Sequence, residues 1–212
     1  SELARTVLGI DKMDSGEVFL NGKPINTRPF AESLHKHGIG YITENRKEEG
    51  LFLDDTLKMN IGLNTLRHFF VKNGVPFIRP SMEAENAEKY VKKLEIKAPS
   101  IMHKASSLSG GNQQKVAISK WLSAGCDVLI IDEPTVGVDV GAKEYIHDLI
   151  WSLAKDEHKA IILISSDMNE IISLARRMLI FKEKQIVAEL TGEDFFAQNG
   201  SEISAEIGKY FI

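Results

Sequence analysis

Cysteine is nearly absent: Cys126 stands alone in 212 residues, so no disulfide can close within the chain, and the composition suits a reducing compartment. That thiol is expected to be a small core residue rather than a redox centre. Long apolar runs are lacking too. No stretch approaches the ~20 residues that span a bilayer, and nothing at the start resembles a secretion signal, so any membrane connection is expected to run through a partner. A polybasic block is also missing, and the net charge of −4 weighs against a nucleic-acid binder held through phosphates. There is no internal repeat and no low-complexity tract. What remains is an ordinary globular composition, 43% apolar and 26% charged, at a length that suits one large domain or a core with a smaller appendage.

The pattern along the chain changes character. A short helix is expected from Glu2 to Leu8, followed by a hairpin between Gly16 and Ile25. There Asn21-Gly22 supplies the positive φ angles of a tight turn, and Pro24 marks an edge strand. A strand from Gly38 to Thr43 leads into the polar stretch Glu44-Asn45-Arg46-Lys47-Glu48-Glu49-Gly50. From Thr56 to about Ala124 the pattern is helical, with Ala84, Ala87, Tyr90, Val91 and Leu94 on one face after the start signal Pro80-Ser81. Lys72 to Pro80, with Gly74 and Pro76, is a connection. Then strand and helix alternate: Val128–Asp132, Gly141–Lys155, Ala160–Ser165 and Met168–Ala175, with a closing hairpin of Met178–Phe181 and Gln185–Leu190. Strands this continuously aliphatic predict an α/β fold whose parallel sheet is covered on both faces. The tail from Thr191 to Ile212 is amphipathic.

Two runs carry chemistry. Leu108-Ser109-Gly110-Gly111-Asn112-Gln113-Gln114-Lys115-Val116 opens a helix with a hydroxyl and two glycines. A helix start presents open N–H groups and partial positive charge, and glycine admits a phosphate close to the backbone. Ser-Gly-Gly alone would equally suit a plain helix start. Val128-Leu129-Ile130-Ile131-Asp132-Glu133-Pro134 ends an aliphatic strand in two carboxylates. At the carboxyl edge of a parallel sheet, Asp132 can hold Mg²⁺ and Glu133 can polarise a water for in-line attack on a phosphate. Without its neighbours the pair could be a solvated strand end.

With those neighbours, Asp132-Glu133-Pro134-Thr135-Val136-Gly137-Val138-Asp139-Val140-Gly141-Ala142-Lys143 resembles the Walker B and D-loop of ABC ATPases, and Leu108 to Trp121 resembles their signature helix. In detail the chain is similar to the second nucleotide-binding domain of bacterial carbohydrate importers of the ribose, galactose and xylose type; Glu44-Asn45-Arg46-Lys47 through Gly50-Leu51 matches that subfamily too. The resemblance implies an ABC-type, RecA-like P-loop ATPase core with a mostly parallel sheet over 1–52 and 125–190, an N-terminal β-hairpin element, a helical subdomain over about 53–124 and a C-terminal tail over 191–212. It implies ATP and Mg²⁺ as cofactors of the parent protein. Glu133 would be the catalytic glutamate and Asp132 the magnesium-linked aspartate. Ser109, Gly110, Gly111 and Gln113 would face ATP held by the opposite domain, and Asp139 would lie across the dimer interface. Implied partners are the other ATPase domain, permease subunits reached through the Glu44 loop and, indirectly, an extracytoplasmic sugar-binding protein, with no nucleic acid. The implied location is the cytoplasmic face of the plasma membrane.

Three departures matter. Glu44 stands where most of the family has glutamine; it can accept from water or approach the metal but cannot donate as an amide does. Ser166 replaces the switch histidine and is too short and uncharged for the same γ-phosphate contact. Both changes are habitual in second domains of the sugar importers. Third, Ser1 aligns as the last residue of the Walker A turn, so the first core strand and the P-loop nest of N–H groups are expected to be missing. The expectation is a fragment that alone neither binds ATP tightly nor hydrolyses it, and that self-associates through exposed strand edges.

Other residues read plainly: His35 and His37 as surface groups without a metal-ligand cluster, Trp121 and Trp151 as core, and Arg176-Arg177 as a solvated end. The rival reading is a non-transport ABC ATPase acting in DNA repair or on the ribosome, which the compact segment between Glu44 and Ser109 disfavours. A third is a degenerate module that only donates signature residues, against which the retained Glu133 argues.

Overall fold

The computed structural model describes residues 1–69, 80–192 and 200–210. The connection expected at Lys72 to Pro80 lies, save for Pro80, outside the described residues, as do parts of the tail. The chain divides into two units, Ser1–Ile164 and Ser165–Ile212.

In the first unit, helix α1 (Glu2–Val7) precedes the hairpin of β1 (Val18–Leu20) and β2 (Lys23–Ile25). Its turn is the expected one, with Asn21 at φ 51° and Gly22 at φ 74°, and Pro24 stands exposed opposite Phe19. Helix α2 (Ala31–His35) leads to β3 (Ile39–Ile42), which pairs in parallel with β4 (Val128–Asp132). β4 pairs in parallel with β5 (Ala160–Ile164), giving the order β3-β4-β5. Residues 39–42 and 129–132 are all buried, so the shared strand and its neighbour meet the expectation of continuous burial. β5 does not: Ala160 is exposed and Ile162 is 51% exposed. Among the described residues β5 has one hydrogen-bonded neighbour in this sheet, and strand composition does not distinguish an end strand from a middle one.

Between β3 and β4 the chain is helical. A single wide turn (Arg46–Gly50) precedes α3 (Leu57–Gly62), a tight turn (Leu63–Phe69), α4 (Pro80–Lys93) and α5 (Gly110–Ser123). Thr56 caps α3 by accepting from the Met59 N–H at 3.1 Å. The apolar face of α4 buries Ala87 and Tyr90, with Leu94 just beyond; Glu83, not Ala84, is its first buried residue, and it pairs with Lys58 at 3.0 Å. α5 lies in the middle of this layer, against α3, α4 and β3. It is buried nearly all round, as expected of an interior helix. Several of its polar side chains are bound to carbonyls: Lys115 donates to Glu95, Ser119 to Val116 and Lys120 to Gly50. Trp121 packs edge-on against Phe30, and Cys126 is fully buried, its thiol pushed up to about 12 by burial. Trp151, on α6 (Val140–Lys155), is only half-buried.

The second unit holds α7 (Met168–Leu174), the antiparallel hairpin of β6 (Arg177–Lys182) and β7 (Gln185–Thr191), and α8 (Gly200–Gly208). Met178 and Ile180 pack with Ile203 and Ile207 of the amphipathic tail into a small core. Arg177 is exposed and paired with Glu189 at 2.7 Å. Among the described residues no helix is long and apolar enough to cross a membrane.

Candidate functional site

The end of β4 gathers hydroxyls around one carboxylate. Asp132 is 1% exposed, and each of its oxygens accepts a hydrogen bond: Oδ2 from the Tyr41 hydroxyl of β3 at 2.8 Å, Oδ1 from the Ser1 hydroxyl at 3.0 Å. Burial, reinforced by the bond to Asp132 and its charge, holds the Tyr41 phenol well above its ordinary range, so it stays a donor. The next residue, Glu133, is half-buried and has φ 47°, a left-handed conformation that costs a non-glycine residue on the order of 1 kcal/mol or more. Its N–H donates to the Ile164 carbonyl at 2.8 Å, extending the β4–β5 ladder while the side chain leaves the strand direction. Glu44 is exposed, two residues beyond Ile42; since Ile42 pairs with Ile131, β3 and β4 bring Glu44 and Glu133 to the same edge of the sheet.

Among the described residues no three or more His, Cys, Asp or Glu side chains form a metal cluster. The donor set at Asp132, one buried carboxylate with a hydroxyl against it, nevertheless fits Mg²⁺, which keeps waters and takes few protein ligands.

The start of α5 is the second locus. Ser109 is exposed, sits at the N-cap in an extended conformation, and makes no side-chain cap bond; its Oγ accepts instead from the Asn112 amide at 3.0 Å. The caps of α6 and α7 behave differently. Asp139 accepts from the Ala142 N–H at the start of α6, and Asp167 from Asn169 and Glu170 at the start of α7. The first N–H groups of α5 thus have no side-chain cap. Its glycines meet their own chain: a Cβ on Gly110 would lie 2.3 Å from the Gly137 carbonyl oxygen, and one on Gly111 2.6 Å from the Ala142 Cβ.

These observations decide the identity when set beside known sequences: the profile of the ABC transporter family matches residues 1–136. The chain belongs to the ABC transporter family. It is 45% identical to the ribose import ATP-binding protein RbsA of Lacticaseibacillus paracasei, over 91% of this chain and 38% of that protein. With RbsA of Bacillus licheniformis the identity is 44%, over 92% of this chain and 38% of the relative. The chain therefore spans well under half the length of these relatives. The fold is that of an ATP-binding cassette: a nucleotide-free cassette from an ABC transporter superposes with a TM-score of 0.77 at 23% identity, covering 100% of this chain and 82% of that one.

Within this ABC cassette the expected site residues fall into distinct places. Asp132, Glu133 and Glu44 share the sheet edge, and Gly110, Gly111 and Asp139 meet where α5 approaches the start of α6. Gln113 points inward: it is 6% exposed, and its amide braces the Ala105 and Leu108 carbonyls at 3.2 Å. Ser166 is exposed and belongs to the second unit. His37 Nε2 donates to the Asn26 carbonyl at 3.0 Å, and among the described residues no metal cluster includes it. Sequence reasoning missed Tyr41, Arg46 and Lys120. Tyr41 had one available signal, its position on a strand, whereas nothing local marks the buried carbonyl partners of Arg46 and Lys120.

Proposed function

We propose that residues 1–212 are part of the ATP-hydrolysing subunit that energises sugar import through an ABC transporter. The observation that carries the reading is the end of β4: a buried aspartate with a hydroxyl on each oxygen, followed by a glutamate in a strained left-handed conformation. Glu133 is the general base that polarises the attacking water, and Asp132 with the Ser1 hydroxyl holds Mg²⁺, which neutralises charge on the phosphates when bound. Glu44 acts around the same phosphates, and Ser166 is a nucleotide-contacting residue that makes a weaker contact than a histidine would. The uncapped start of α5, with Ser109, Gly110 and Gly111, serves ATP held by a second ATPase domain, and Asp139 and Gln113 support it.

In the same reading, 53–124 is a helical subdomain between core segments 1–52 and 125–190, with 191–212 as its tail. Permease subunits dock at the Glu44 loop and a sugar-binding protein acts through them, with no nucleic acid involved. The protein works peripherally on the cytoplasmic face of the membrane. By themselves these 212 residues hold ATP weakly and do not hydrolyse it, because they contain no glycine-rich loop ending in a basic and a hydroxyl residue. Exposed strand edges such as that of β5 favour self-association of this piece.

The test is ATP turnover by the full-length protein with its permease. Glu133→Gln is expected to slow turnover by roughly 10²–10⁴-fold while ATP binding persists. Turnover within about threefold of wild type, well inside the range of a lost general base, would remove Glu133 from the mechanism. Micromolar ATP affinity of the 212-residue polypeptide in calorimetry would overturn the claim about this piece alone.

A further inference from the structure

Three stretches that look separate in the sequence meet at one side chain. Arg46 leaves the polar stretch after β3 and is 5% exposed. Its Nη1 donates to the Val136 carbonyl at 2.7 Å and its Nη2 to the Gly137 carbonyl at 2.9 Å. Gly137 has φ 67°, and its oxygen is the atom a Cβ on Gly110 would strike. The Arg46 Nη2 itself lies 3.1 Å from that Cβ position. One guanidinium thus fixes two peptide carbonyls, and one of those carbonyls seats the first residue of α5.

The turn that carries Arg46 is anchored on its other sides. Gly50 O accepts from Lys120 Nζ of α5 at 2.6 Å. The Glu49 carboxylate accepts from Thr43 Oγ1 at 3.1 Å and from Arg5 Nη1 at 3.4 Å. No carboxylate pairs with Arg46 among the described residues, and its buried Nε has no hydrogen-bond partner there. A buried cation held only by carbonyls is costly to keep for packing alone.

We propose that Arg46 is a positioning residue that locks the Glu44 stretch, the Val136–Gly137 turn and the Gly110 start of α5 into one unit, so that the loop beside the carboxylate edge and the signature glycines move together. The consequence for turnover rests on the ATPase reading above; the mechanical claim does not. Lysine cannot replace the arginine, because a single ammonium lacks the planar fork that serves two neighbouring carbonyls at once. Neither Arg46 nor Gly137 touches a reacting atom on this account; both act through the placement of Gly110.

Two measurements on the full-length protein test it, with Arg46→Lys, Gly110→Ala and the double variant. The first is hydrogen exchange. In Arg46→Lys, amide exchange is expected to rise by about tenfold at both Val136–Val138 and Gly110–Gly111, because loosening one face of a shared contact loosens the other. A rise confined to Val136–Val138, or none, overturns the lock whether or not the protein turns over ATP. The second is turnover with permease. Arg46→Lys is expected to lower kcat about tenfold while KM for ATP changes less than about twofold, the pattern of an interaction expressed only in the reacting state. The double variant is expected to fall within about twofold of the worse single, since groups in one contact are not additive. Wild-type kcat in Arg46→Lys, or a double loss equal to the product of the singles, overturns the proposal. Should the lysine variant unfold in a thermal melt, Arg46→Gln, which keeps N–H donors without a buried charge, is read by the same criteria. A wild-type protein that hydrolyses no ATP would defeat the function, leaving the exchange result to decide the lock.

Discussion

The end of β4 and the start of α5 carry the chain's two motifs, and opposite means hold them in place. At β4 the organising group is a side chain: Asp132 is buried, and hydroxyls from Ser1 and Tyr41 come to it. At α5 it is the lack of side chains: Gly110 and Gly111 let a helix end come down on the Gly137 carbonyl and Ala142. The difference teaches which changes each place tolerates. The carboxylate site should suffer from lost donors, the glycine site from added atoms.

A buried cation further along α5 gives the largest expected effect. Lys120 is pulled down to about 8 by burial; its Nζ donates to the Gly50 carbonyl and lies 5.3 Å from the centre of the Trp121 ring, with no carboxylate paired to it among the described residues. Its folded pKa lies below its unfolded value, so between about 8 and 10.5 the unfolded chain binds the proton that the folded chain has released. Stability contributed by this group is therefore low below about 8 and rises towards 10.5. Relative to Lys120→Met, the wild type should gain on the order of 3 kcal/mol across that window in denaturant titrations. The comparison with the variant is needed because the Tyr41 phenol and the Cys126 thiol, both held up by burial, act in the opposite direction in either protein. A flat difference would show that Lys120 reaches water in the fold.

A smaller effect probes the carboxylate. Tyr41→Phe removes one donor from Asp132 without changing its packing, and should cost about 2 kcal/mol, the worth of a hydrogen bond to a charged group. If thermal unfolding shows no change, Asp132 is solvated and not held by hydroxyls.

The smallest effect adds a methyl where the helix end has no room. Gly111→Ala should destabilise by about 1–2 kcal/mol, the overpacking cost less the gain in helix propensity. Ala142→Gly in the same protein should recover part of it. Failure to recover would mean that the close approach in the structure is not what the glycine serves.

Much of the architecture was legible because the periodicities were strong. Aliphatic β4, the Asn21-Gly22 turn and the face of α4 through Ala87, Tyr90 and Leu94 all follow from local pattern. α5 was legible as a helix but not as the centre of its layer, since its Gln, Lys and Ser residues look solvent-facing until their carbonyl partners are known. β5 misled for the opposite reason: five apolar residues say nothing about whether a neighbouring strand covers them. Of the site, Asp132 and Glu133 were visible as a strand ending in carboxylates, while the inward turn of Gln113 and the capping role of Asp139 were not.

By itself the sequence determined the family and the places of the two motifs, because glycines before a helix and carboxylates after an aliphatic strand are local patterns with local causes. Only the tertiary structure decided what holds those motifs: that Asp132 is served by hydroxyls from Ser1 and β3, and that Arg46 joins the loop after β3 to carbonyls some 90 residues further along the chain. Such contacts depend on which strand lies beside which, and a buried cation among backbone carbonyls leaves no periodic trace along the chain.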